Sequence, residues 1–592
     1  MNPYLKLAIA LVIYVAVGHK ILRKAFRNIK NGQVFDENFL MVVATFGALA
    51  MGEYLEAISV LVLYRIGEYF QDKAVDKSRQ SIAALMDIRP DYANIEDENG
   101  ELQQVDPDDL EVGAIITVKP GERVPVDGVV IEGDSRLDTA ALTGESLPRH
   151  VAEGDEIYSG TINLNGLLKI RVTKPCDEST ATRILELVEE STENKGKAEQ
   201  FITRFARYYT PVVCGLAVLL AVVPGLATGQ WATWVHRALI FLVVSCPCAL
   251  VISVPLSFFA GIGGASSKGI LMKGGNYLEA LAKADTVVFD KTGTLTKGVF
   301  SVVAVHPERM TEEELLDLAA AAESFSDHPI SRSLEEEYQA RTGKTADKAR
   351  VGQFENFAGE GIIATVDGKQ VACGNARLMT RAGAQHKDCE VQGTMVHVAV
   401  DGIYEGHIVI ADVVKDDAKQ AIGSLQALGV TRTVMLTGDK KEIAQDVAKA
   451  LGLSEWHAEL MPQDKVSRVK DLIASKQKDR TVAFAGDGIN DAPVLALADV
   501  GIAMGSMGSA AAVEAADIVL MNDKPSDVAL AVRIARKTMR IIYENISFSI
   551  GVKVLVLILA ALGYANMWLA IFADVGVCML AILNAMRALR IE

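Results

Sequence analysis

The chain has 592 residues, more than one hydrophobic core normally organises, so several domains are expected. Half of the residues are apolar and 23% are charged, a mixture typical of membrane segments that carry large soluble insertions. The net charge of −16 argues against a nucleic-acid-binding surface, which needs clustered Lys and Arg. The seven cysteines are scattered except for Cys246 and Cys248, so we expect no disulfide framework and cytoplasmic soluble domains.

Apolar stretches of spanning or near-spanning length lie at the start, middle and end of the chain. Seven spans are predicted, at residues 4–21, 39–51, 55–66, 209–228, 238–259, 546–562 and 567–583. The second and third are short, and we expect them to continue through Glu56 and Glu68. A basic run at residues 19–30 follows the first stretch in place of a cleavage pattern, which indicates a cytoplasmic flank and not a signal peptide.

Two long polar regions separate the spans. The first alternates apolar and polar residues between turn signals such as Pro120-Gly121, which predicts a small β-rich domain. The second alternates strand-like and helical runs, which predicts an α/β domain with a parallel sheet and a separate α+β insertion. The predicted domains are 1–75 (three membrane helices), 76–206 (β-rich), 207–262 (membrane helices), 268–298 (α/β, first part), 299–410 (insertion), 411–541 (α/β, second part) and 546–588 (last two membrane helices).

The strongest chemical signal is the string Asp290-Lys291-Thr292-Gly293-Thr294, directly after an apolar strand-like run. A carboxylate at the C-terminal end of a parallel strand lies where α/β sheets bind ligands, and it can attack a phosphoryl group to form an acyl phosphate. For Asp290 alone, a helix cap is the more ordinary interpretation. Further polar groups at later strand ends favour phosphoryl transfer, namely Thr437, Gly438, Asp439, Lys465, Asp487, Asn490 and Asp491. Lys465 could neutralise the phosphoryl group, and Asp290 with Asp487 could hold Mg²⁺.

These motifs, in this order, resemble those of a P-type ATPase, and the resemblance runs over nearly the whole chain. It implies a multidomain membrane protein with a transmembrane helical bundle and a haloacid-dehalogenase-like domain in which Asp290 is phosphorylated. It also implies that Thr143-Gly144-Glu145-Ser146 is the dephosphorylation loop of a β-rich actuator domain. Glu145 would then orient the water that hydrolyses the acyl phosphate. Taken alone, this string is only a turn.

The insertion resembles the nucleotide-binding domain of the heavy-metal branch of this family. The resemblance implies that ATP contacts the His-Pro pair and the glycine pair of this domain. The corresponding residues are His328, Pro329, Gly359 and Gly361, with Glu323, Gly374 and Asn375 as further candidates. Without the resemblance, His328 would be a surface or helix-cap histidine, and the glycines would form a hairpin turn.

Cys246-Pro247-Cys248 lies inside an apolar stretch. A proline removes a helical hydrogen bond and frees carbonyls, and two thiolates offer a soft metal site. A buried cysteine is usually only a small hydrophobe, but two cysteines that flank a proline at membrane depth favour a site. In the family that the chain resembles, this motif marks transition-metal transporters.

Lys553 and Asp574 each place a charge in an apolar helix, at a cost of about 2.5–3.5 kcal/mol on the insertion scale. An ion pair that only joins two helices is the structural alternative. Asp574-Val575-Gly576 and Lys553 resemble the zinc, cadmium and lead branch, and a carboxylate suits divalent zinc better than monovalent copper. The predicted site is therefore Cys246, Cys248 and Asp574, with Lys553 as a counter-charge and Glu56 as a release residue. Glu68 is equally a release residue or an interfacial glutamate.

We therefore expect a pump that exports Zn²⁺ or Cd²⁺, with Pb²⁺ as a further candidate, and that uses ATP and Mg²⁺. It is expected to be a monomer in a bacterial plasma membrane. Two alternatives stay open: a copper-exporting P-type ATPase, and a membrane-tethered phosphatase of the haloacid dehalogenase type. The family usually has eight spans and often a Cys-x-x-Cys domain, so the seven spans place Met1 outside the cell unless an upstream helix is missing.

Overall fold

The computed structural model describes residues 3–30, 37–86, 90, 92–96, 102–139, 148–182, 197–245, 248–326, 328–357, 359–387, 393–487, 491–505 and 510–590. The chain divides into two compact units. The first contains Met1–Lys283, Asp517–Met521 and Leu530–Glu592, and the second contains Ala284–Ala516 and Asn522–Ala529.

The described helices are numbered along the chain. They are α1 Pro3–Lys30, α2 Glu37–Ala50, α3 Tyr54–Met86, α4 Lys197–Thr228, α5 Trp231–Val244, α6 Cys248–Ser266, α7 Gly275–Ala282, α8 Glu312–Glu323, α9 Pro329–Thr342, α10 Ala376–Arg381, α11 Ala418–Ala427, α12 Lys441–Leu451, α13 Pro462–Ser475, α14 Ala492–Leu497, α15 Ala510–Ala515, α16 Ser526–Leu562, α17 Met567–Ile571 and α18 Val577–Ala585. A single π-helical turn, Phe572–Gly576, joins α17 to α18.

The described strands are numbered in the same way. They are β1 Ala93–Glu96, β2 Leu102–Val105, β3 Ile115–Val118, β4 Gly128–Glu132, β5 Ser135–Asp138, β6 Arg149–Val151, β7 Glu156–Ile157, β8 Ile162–Asn163, β9 Leu168–Val172, β10 Ile270–Met272, β11 Ala284–Asp290, β12 Thr296–Pro307, β13 Val351–Phe357, β14 Gly361–Val366, β15 Lys369–Gly374, β16 Thr394–Val400, β17 Ile403–Val414, β18 Arg432–Leu436, β19 Glu455–His457, β20 Thr481–Gly486, β21 Val500–Met504 and β22 Ile518–Leu520.

The first unit contains the long apolar helices. Among the described residues, five helical stretches are long and apolar enough to cross a membrane: Leu5–Lys30, Tyr209–Thr228, Trp231–Ser266, Ser526–Leu562 and Trp568–Leu589. The predicted second span corresponds to a shorter apolar helix, Phe39–Ala50. The predicted third span lies inside α3, whose 33 residues include Glu56 and Glu68. The charged residues of α3 explain why its apolar part is short.

The β-rich domain lies in the first unit and consists of two antiparallel sheets. One has the strand order β2-β1-β3-β9-β4-β7, and the other has the order β6-β5-β8. Alternate residues of the central strands, such as Ile116, Val118, Leu168 and Ile170, form its core, as the period of two along a strand requires. The predicted loop at residues 143–146 lies outside the described residues, between β5 and β6.

The second unit contains a parallel sheet with the order β21-β20-β11-β18-β19. Its central strand β11 is buried at every residue, which is why the apolar residues Val287–Phe289 follow one another without alternating polar positions. The predicted α/β fold with a parallel sheet is confirmed.

The insertion in the second unit is a six-stranded antiparallel sheet with the order β12-β17-β16-β15-β14-β13. One face packs on α8 and α9 through residues such as Val305, Ile408 and Val398. The opposite face carries a smaller cluster that includes Ala399 and, from α10, Leu378. Each strand thus contributes alternate residues to two faces.

Candidate active site

Asp290 is the last residue of β11, and the neighbouring strands bring other polar residues to the same edge of the sheet. Asp290 pairs in register with Leu436 of β18, so Thr437 follows directly beside it. On the other side, Phe289 pairs with Ala485 of β20, two residues before Asp487. The carboxyl ends of parallel strands form the ligand-binding edge of α/β sheets. The structure therefore brings together residues that the sequence only placed at successive strand ends.

Three carboxylates meet at this edge. One oxygen from each of Asp290, Asp487 and Asp491 lies within 4.8 Å of the others. The Lys465 ammonium group lies 2.6 Å from Asp290 Oδ1 and 3.0 Å from Asp491 Oδ1. Burial and the charge of Asp491 raise the pKa of Asp290 to about 7, although Lys465 opposes this shift. Asn490 lies outside the described residues.

Lys465 stays a cation at this site. Burial by itself would lower the pKa of its ammonium group, but the carboxylates of Asp290 and Asp491 outweigh burial and raise that pKa. A buried positive charge with three donor protons beside the Asp290 oxygens can stabilise the negative charge of a phosphoryl group during transfer.

The residues that follow Asp290 form a tight turn against Asp487. Gly293 has φ +73°, and a Cβ at this position would lie 1.6 Å from Asp487 Oδ2. Only glycine allows this approach. Thr292 is exposed beside it. The Lys291 side chain is buried, forms an ion pair with Asp439 and lies 3.8 Å from Asp412.

Thr437 and Asp439 are held by their own loop. Thr437 is buried, its backbone N–H donates to His457 O at 3.0 Å, and its Oγ1 accepts from Asp439 N at 3.1 Å. Gly438 lies between them. Because Asp439 also pairs with Lys291, this loop is fixed beside the turn after Asp290.

Two residues of this site were missed by the sequence reasoning. Lys415 is buried and donates to Gly293 O at 2.7 Å, and it also forms an ion pair with Asp523. Asp412 accepts from Gly298 N at 3.0 Å and from Thr296 Oγ1. Both residues come after the buried residues 408–410 of β17. Polar residues directly after a buried strand are therefore the pattern that could have identified them from the sequence.

A second site is a pocket of about 250 Å³ in the insertion. It is lined by Glu323, Ser326, His328, Ile330, Asn356, Phe357, Gly359, Glu360, Gly361, Ile362, Gly374, Asn375, Thr394, Met395 and Val396. Except for Pro329, whose side chain is not described, the predicted nucleotide-contacting residues all line it. Asn356 and Thr394 were not predicted.

Several of these pocket residues also have structural roles. The exposed His328 caps α9, since its Nδ1 accepts from Ile330 N at 3.2 Å, and Asn375 caps α10 while its Nδ2 donates to Gly359 O at 2.8 Å. Burial raises the pKa of Glu323, whose Oε2 accepts from Ser331 Oγ at 2.6 Å. His328 therefore both caps α9 and lines the pocket.

In the first unit, the two predicted intramembrane charges meet. Lys553 Nζ lies 3.1 Å from Asp574 Oδ1 and donates to Val244 O at 3.1 Å, and both side chains are almost fully buried. Asp574 lies in the π-helical turn. Cys246 and Pro247 lie outside the described residues, as does the side chain of Cys248. Val244 precedes Cys246 by two residues in the chain, so Lys553 contacts the end of α5 that leads into the predicted metal motif.

The two glutamates of α3 differ in their surroundings. Glu68 forms ion pairs with Lys24 at 2.5 Å and Arg65 at 2.6 Å, which favours the interfacial interpretation of Glu68. Glu56 lies in the first turn of α3 and is half-buried.

Two family models match the soluble regions. Residues 87–189 match the P-type ATPase actuator domain, and residues 284–499 match haloacid dehalogenase-like hydrolases. A cadmium, zinc and cobalt-transporting ATPase of Bacillus subtilis is 52% identical over 582 residues, covering 98% of this chain and 82% of that protein. A zinc-transporting ATPase of Synechocystis sp. is 51% identical over 583 residues, covering 98% of this chain and 80% of that protein.

Solved structures agree with these sequence matches. The crystal structure of a zinc-transporting PIB-type ATPase in the E2.Pi state has a TM-score of 0.62 and 36% identity, and the match covers 100% of this chain and 96% of that chain. A second crystal structure of a zinc-transporting PIB-type ATPase gives a TM-score of 0.57 and 37% identity, covering 99% of this chain and 95% of that chain. This chain is therefore an integral membrane protein that belongs to the P-type ATPases, in the same branch as these cadmium- and zinc-transporting relatives.

Proposed function

We propose that this chain uses ATP to export a divalent metal ion, zinc or cadmium first and lead as a further candidate, across a bacterial plasma membrane. The observation that carries the proposal is the buried carboxylate of Asp574 in a π-helical turn of an apolar helix, paired with a lysine that also contacts Val244, two residues before Cys246. A carboxylate with two thiolates suits these divalent ions better than monovalent copper. The curated relatives above are a cadmium, zinc and cobalt-transporting ATPase and a zinc-transporting ATPase, which supports the same choice.

The soluble domains supply the energy by phosphoryl transfer, with the catalytic regions in the cytoplasm. An Asp290 oxygen attacks the γ-phosphorus of ATP, and the bond to the β-phosphate oxygen breaks, so that ADP leaves and an acyl phosphate forms. Lys465, 2.6 Å from Asp290, favours the ionised carboxylate and offsets the charge of the phosphoryl oxygens. Lys415 holds the Gly293 carbonyl and so keeps the turn after Asp290 in place.

The carboxylate cluster fits a Mg²⁺ ion. Mg²⁺ prefers oxygen ligands, and three carboxylate oxygens within 4.8 Å of one another supply them. Asp290 and Asp487 would hold the ion, with Asp491 beside them. When bound, Mg²⁺ supplies positive charge that offsets the phosphoryl oxygens.

ATP is held by the pocket of the insertion. Glu323, His328 and Asn375 line this pocket and would contact the adenine side of the nucleotide. Glu145 would orient the water that later attacks the acyl phosphate, which releases inorganic phosphate and restores Asp290.

The transported ion would bind Cys246, Cys248 and Asp574. Lys553 already contacts Asp574, so its ammonium group competes with the ion for the carboxylate and favours release. Glu56 would accept the ion on its way out. We expect the pump to work as a monomer.

A metal screen of ATPase activity in the purified protein tests this function. Zn²⁺ and Cd²⁺ should stimulate ATP hydrolysis, whereas Cu⁺ should not, and Asp290→Asn should abolish the stimulated activity as the matched control. Stimulation by Cu⁺ alone would favour the copper exporter. ATP hydrolysis that is independent of any transition metal would contradict a pump.

A further inference from the structure

Four of the nine histidines of the chain lie together in the insertion, outside both sites described above. His306 of β12, His407 of β17 and His397 of β16 are direct cross-strand partners. Residues paired in this way project from the same face of an antiparallel sheet. The ring centres of His306 and His407 are 5.0 Å apart, and those of His407 and His397 are 5.9 Å apart. We name these three residues the histidine row.

The histidine row lies on the sheet face that does not pack on α8 and α9. The neighbouring residues along the strands, such as Val305, Ile408 and Val398, form the core against those helices, so the histidines project from the opposite face. His386, which follows α10, adds a fourth ring 5.2 Å from that of His397.

Tyr404 orients two rings of the row. Its hydroxyl lies 3.0 Å from His397 Nδ1 and 3.0 Å from His407 Nδ1. A hydroxyl has one proton, so it donates to one imidazole and accepts from the other, which sets the tautomer of both rings. Metal-binding histidines are commonly held in this way, through a hydrogen bond at the nitrogen that does not bind the metal.

The other nitrogen of His407, Nε2, is buried. His407 is 6% exposed, and its Nε2 has no hydrogen-bond partner among the described residues. Leaving a buried polar nitrogen unsatisfied costs about 1–3 kcal/mol. Coordination of a cation by the free lone pair would remove this cost if Tyr404 accepts the proton of His407 Nδ1.

We propose that His407 Nε2 and His306, together with Glu308, bind a divalent transition-metal ion such as Zn²⁺ in the nucleotide-binding insertion. Glu308 lies two residues beyond His306, and its charge acts on His407. A zinc ion that takes one nitrogen from each of two imidazoles, at about 2.0–2.1 Å, holds their ring centres about 5 Å apart at a tetrahedral angle. The observed separation of 5.0 Å matches this value.

The ligand set defines which ions the site takes. Imidazole and carboxylate ligands without a thiolate suit zinc, cobalt and nickel, and they do not select Cu⁺. Within the described part of the chain, only the three aspartates near Asp290 bring three donor atoms within 4.8 Å. The exposed His306 and Glu308 side chains must therefore turn toward His407 when the ion binds, and Glu308 must leave its ion pair with Lys387.

Zinc binding to the purified full-length protein tests the proposal. A background of Cys246→Ala and Cys248→Ala removes the membrane thiolates, so equilibrium dialysis with Zn²⁺ reports on the remaining sites. We expect one bound equivalent whose affinity falls at least tenfold in His306→Asn, which changes an exposed residue and leaves the core intact. The matched control is His150→Asn, an exposed histidine 3.2 Å from the Asp134 carboxylate in the β-rich domain, which should bind zinc as the background does.

X-ray absorption at one equivalent of zinc gives a second measurement. Two imidazoles in the ligand shell, reduced to one in His306→Asn and in His407→Gln, would support the site. Equal zinc affinity in His306→Asn and His150→Asn would overturn it, and so would a ligand shell without imidazole. Neither readout depends on ATP hydrolysis or transport, so the result is independent of the proposed pump function.

Discussion

At the scale of single residues, the surroundings of Asp290, the proposed nucleophile, destabilise its negative charge. Burial and the nearby Asp491 carboxylate raise the pKa of Asp290 to about 7, and Lys465 offsets only part of this. Asparagine at this position would remove the repulsion, while Lys465 would keep its 3.0 Å contact with Asp491. The folded protein therefore pays part of its stability to hold a buried, negatively charged carboxylate at this position.

Asp290→Asn should abolish the phosphoenzyme without unfolding the protein. ATP turnover should fall by at least about 10⁴-fold, because the nucleophile is lost, while the melting temperature stays equal or rises. An acid-stable, hydroxylamine-sensitive phosphate label measures the first effect, and thermal unfolding measures the second. A label that survives the substitution would assign the phosphate to another residue.

Gly293→Ala should disable the same site by displacing Asp487. The new Cβ would lie 1.6 Å from Asp487 Oδ2, and a misplacement of about 1 Å in an active site can cost about 10²-fold in rate. Gly343→Ala is the matched control, since Gly343 has φ +70° but no neighbour within 4 Å of a Cβ. Phosphoenzyme formation from ATP should fall about 100-fold in the first variant and stay normal in the second. Normal phosphorylation in both variants would show that the close approach of Gly293 to Asp487 is not needed for the reaction.

At the scale of elements, an ion pair inside the membrane region joins α16 and the π-helical turn. Lys553 and Asp574 are 3.1 Å apart, and the contact is compatible with a transport site and with a purely structural bridge. A transport site loses its zinc response when both charges are removed, whereas a structural bridge keeps it.

Asp574→Ala should destabilise the helix pair, because among the described residues it leaves the buried Lys553 charge with the Val244 carbonyl as its partner. Loss of one member of a buried pair costs about 3–5 kcal/mol, visible as reduced folded yield in detergent. Adding Lys553→Met should restore folding, yet zinc should still fail to stimulate ATP hydrolysis, since a ligand is missing. Recovery of zinc-stimulated turnover in the double variant would remove Asp574 from the transport site.

At the scale of the whole molecule, the proposed mechanism requires the β-rich domain to act on the acyl phosphate of the α/β domain. Glu145→Gln should therefore allow phosphorylation from ATP but block hydrolysis of the product, because attack by Asp290 precedes the step that Glu145 assists. Time courses of the phosphate label should show a persistent phosphoenzyme, with steady-state ATPase activity reduced about 100-fold or more. Near-normal turnover would mean that Glu145 has no role in dephosphorylation and is only part of a turn.

Much of the fold could be predicted from local patterns. The apolar run Val287–Phe289 in β11 indicated a buried parallel strand. The polar residues at the ends of β11, β18 and β20 indicated a common edge, because parallel strands end side by side. The membrane helices followed from length and hydropathy, except where the glutamates of α3 shortened its apolar part. The predicted roles of the site residues, including Glu145 and the two cysteines, stay predictions.

The sequence by itself determined the order of the elements, the nucleophile candidate and the apolar spans, because each depends on residues that are close in the chain. Only the tertiary structure showed that Lys415 contacts Gly293, 122 residues away, and that Lys553 contacts the Val244 carbonyl, 309 residues away. The histidine row likewise arises from the register of three strands. Hydrophobic periodicity specifies which face of an element is buried, but it does not specify which distant polar atoms meet there, since that depends on how the elements pack.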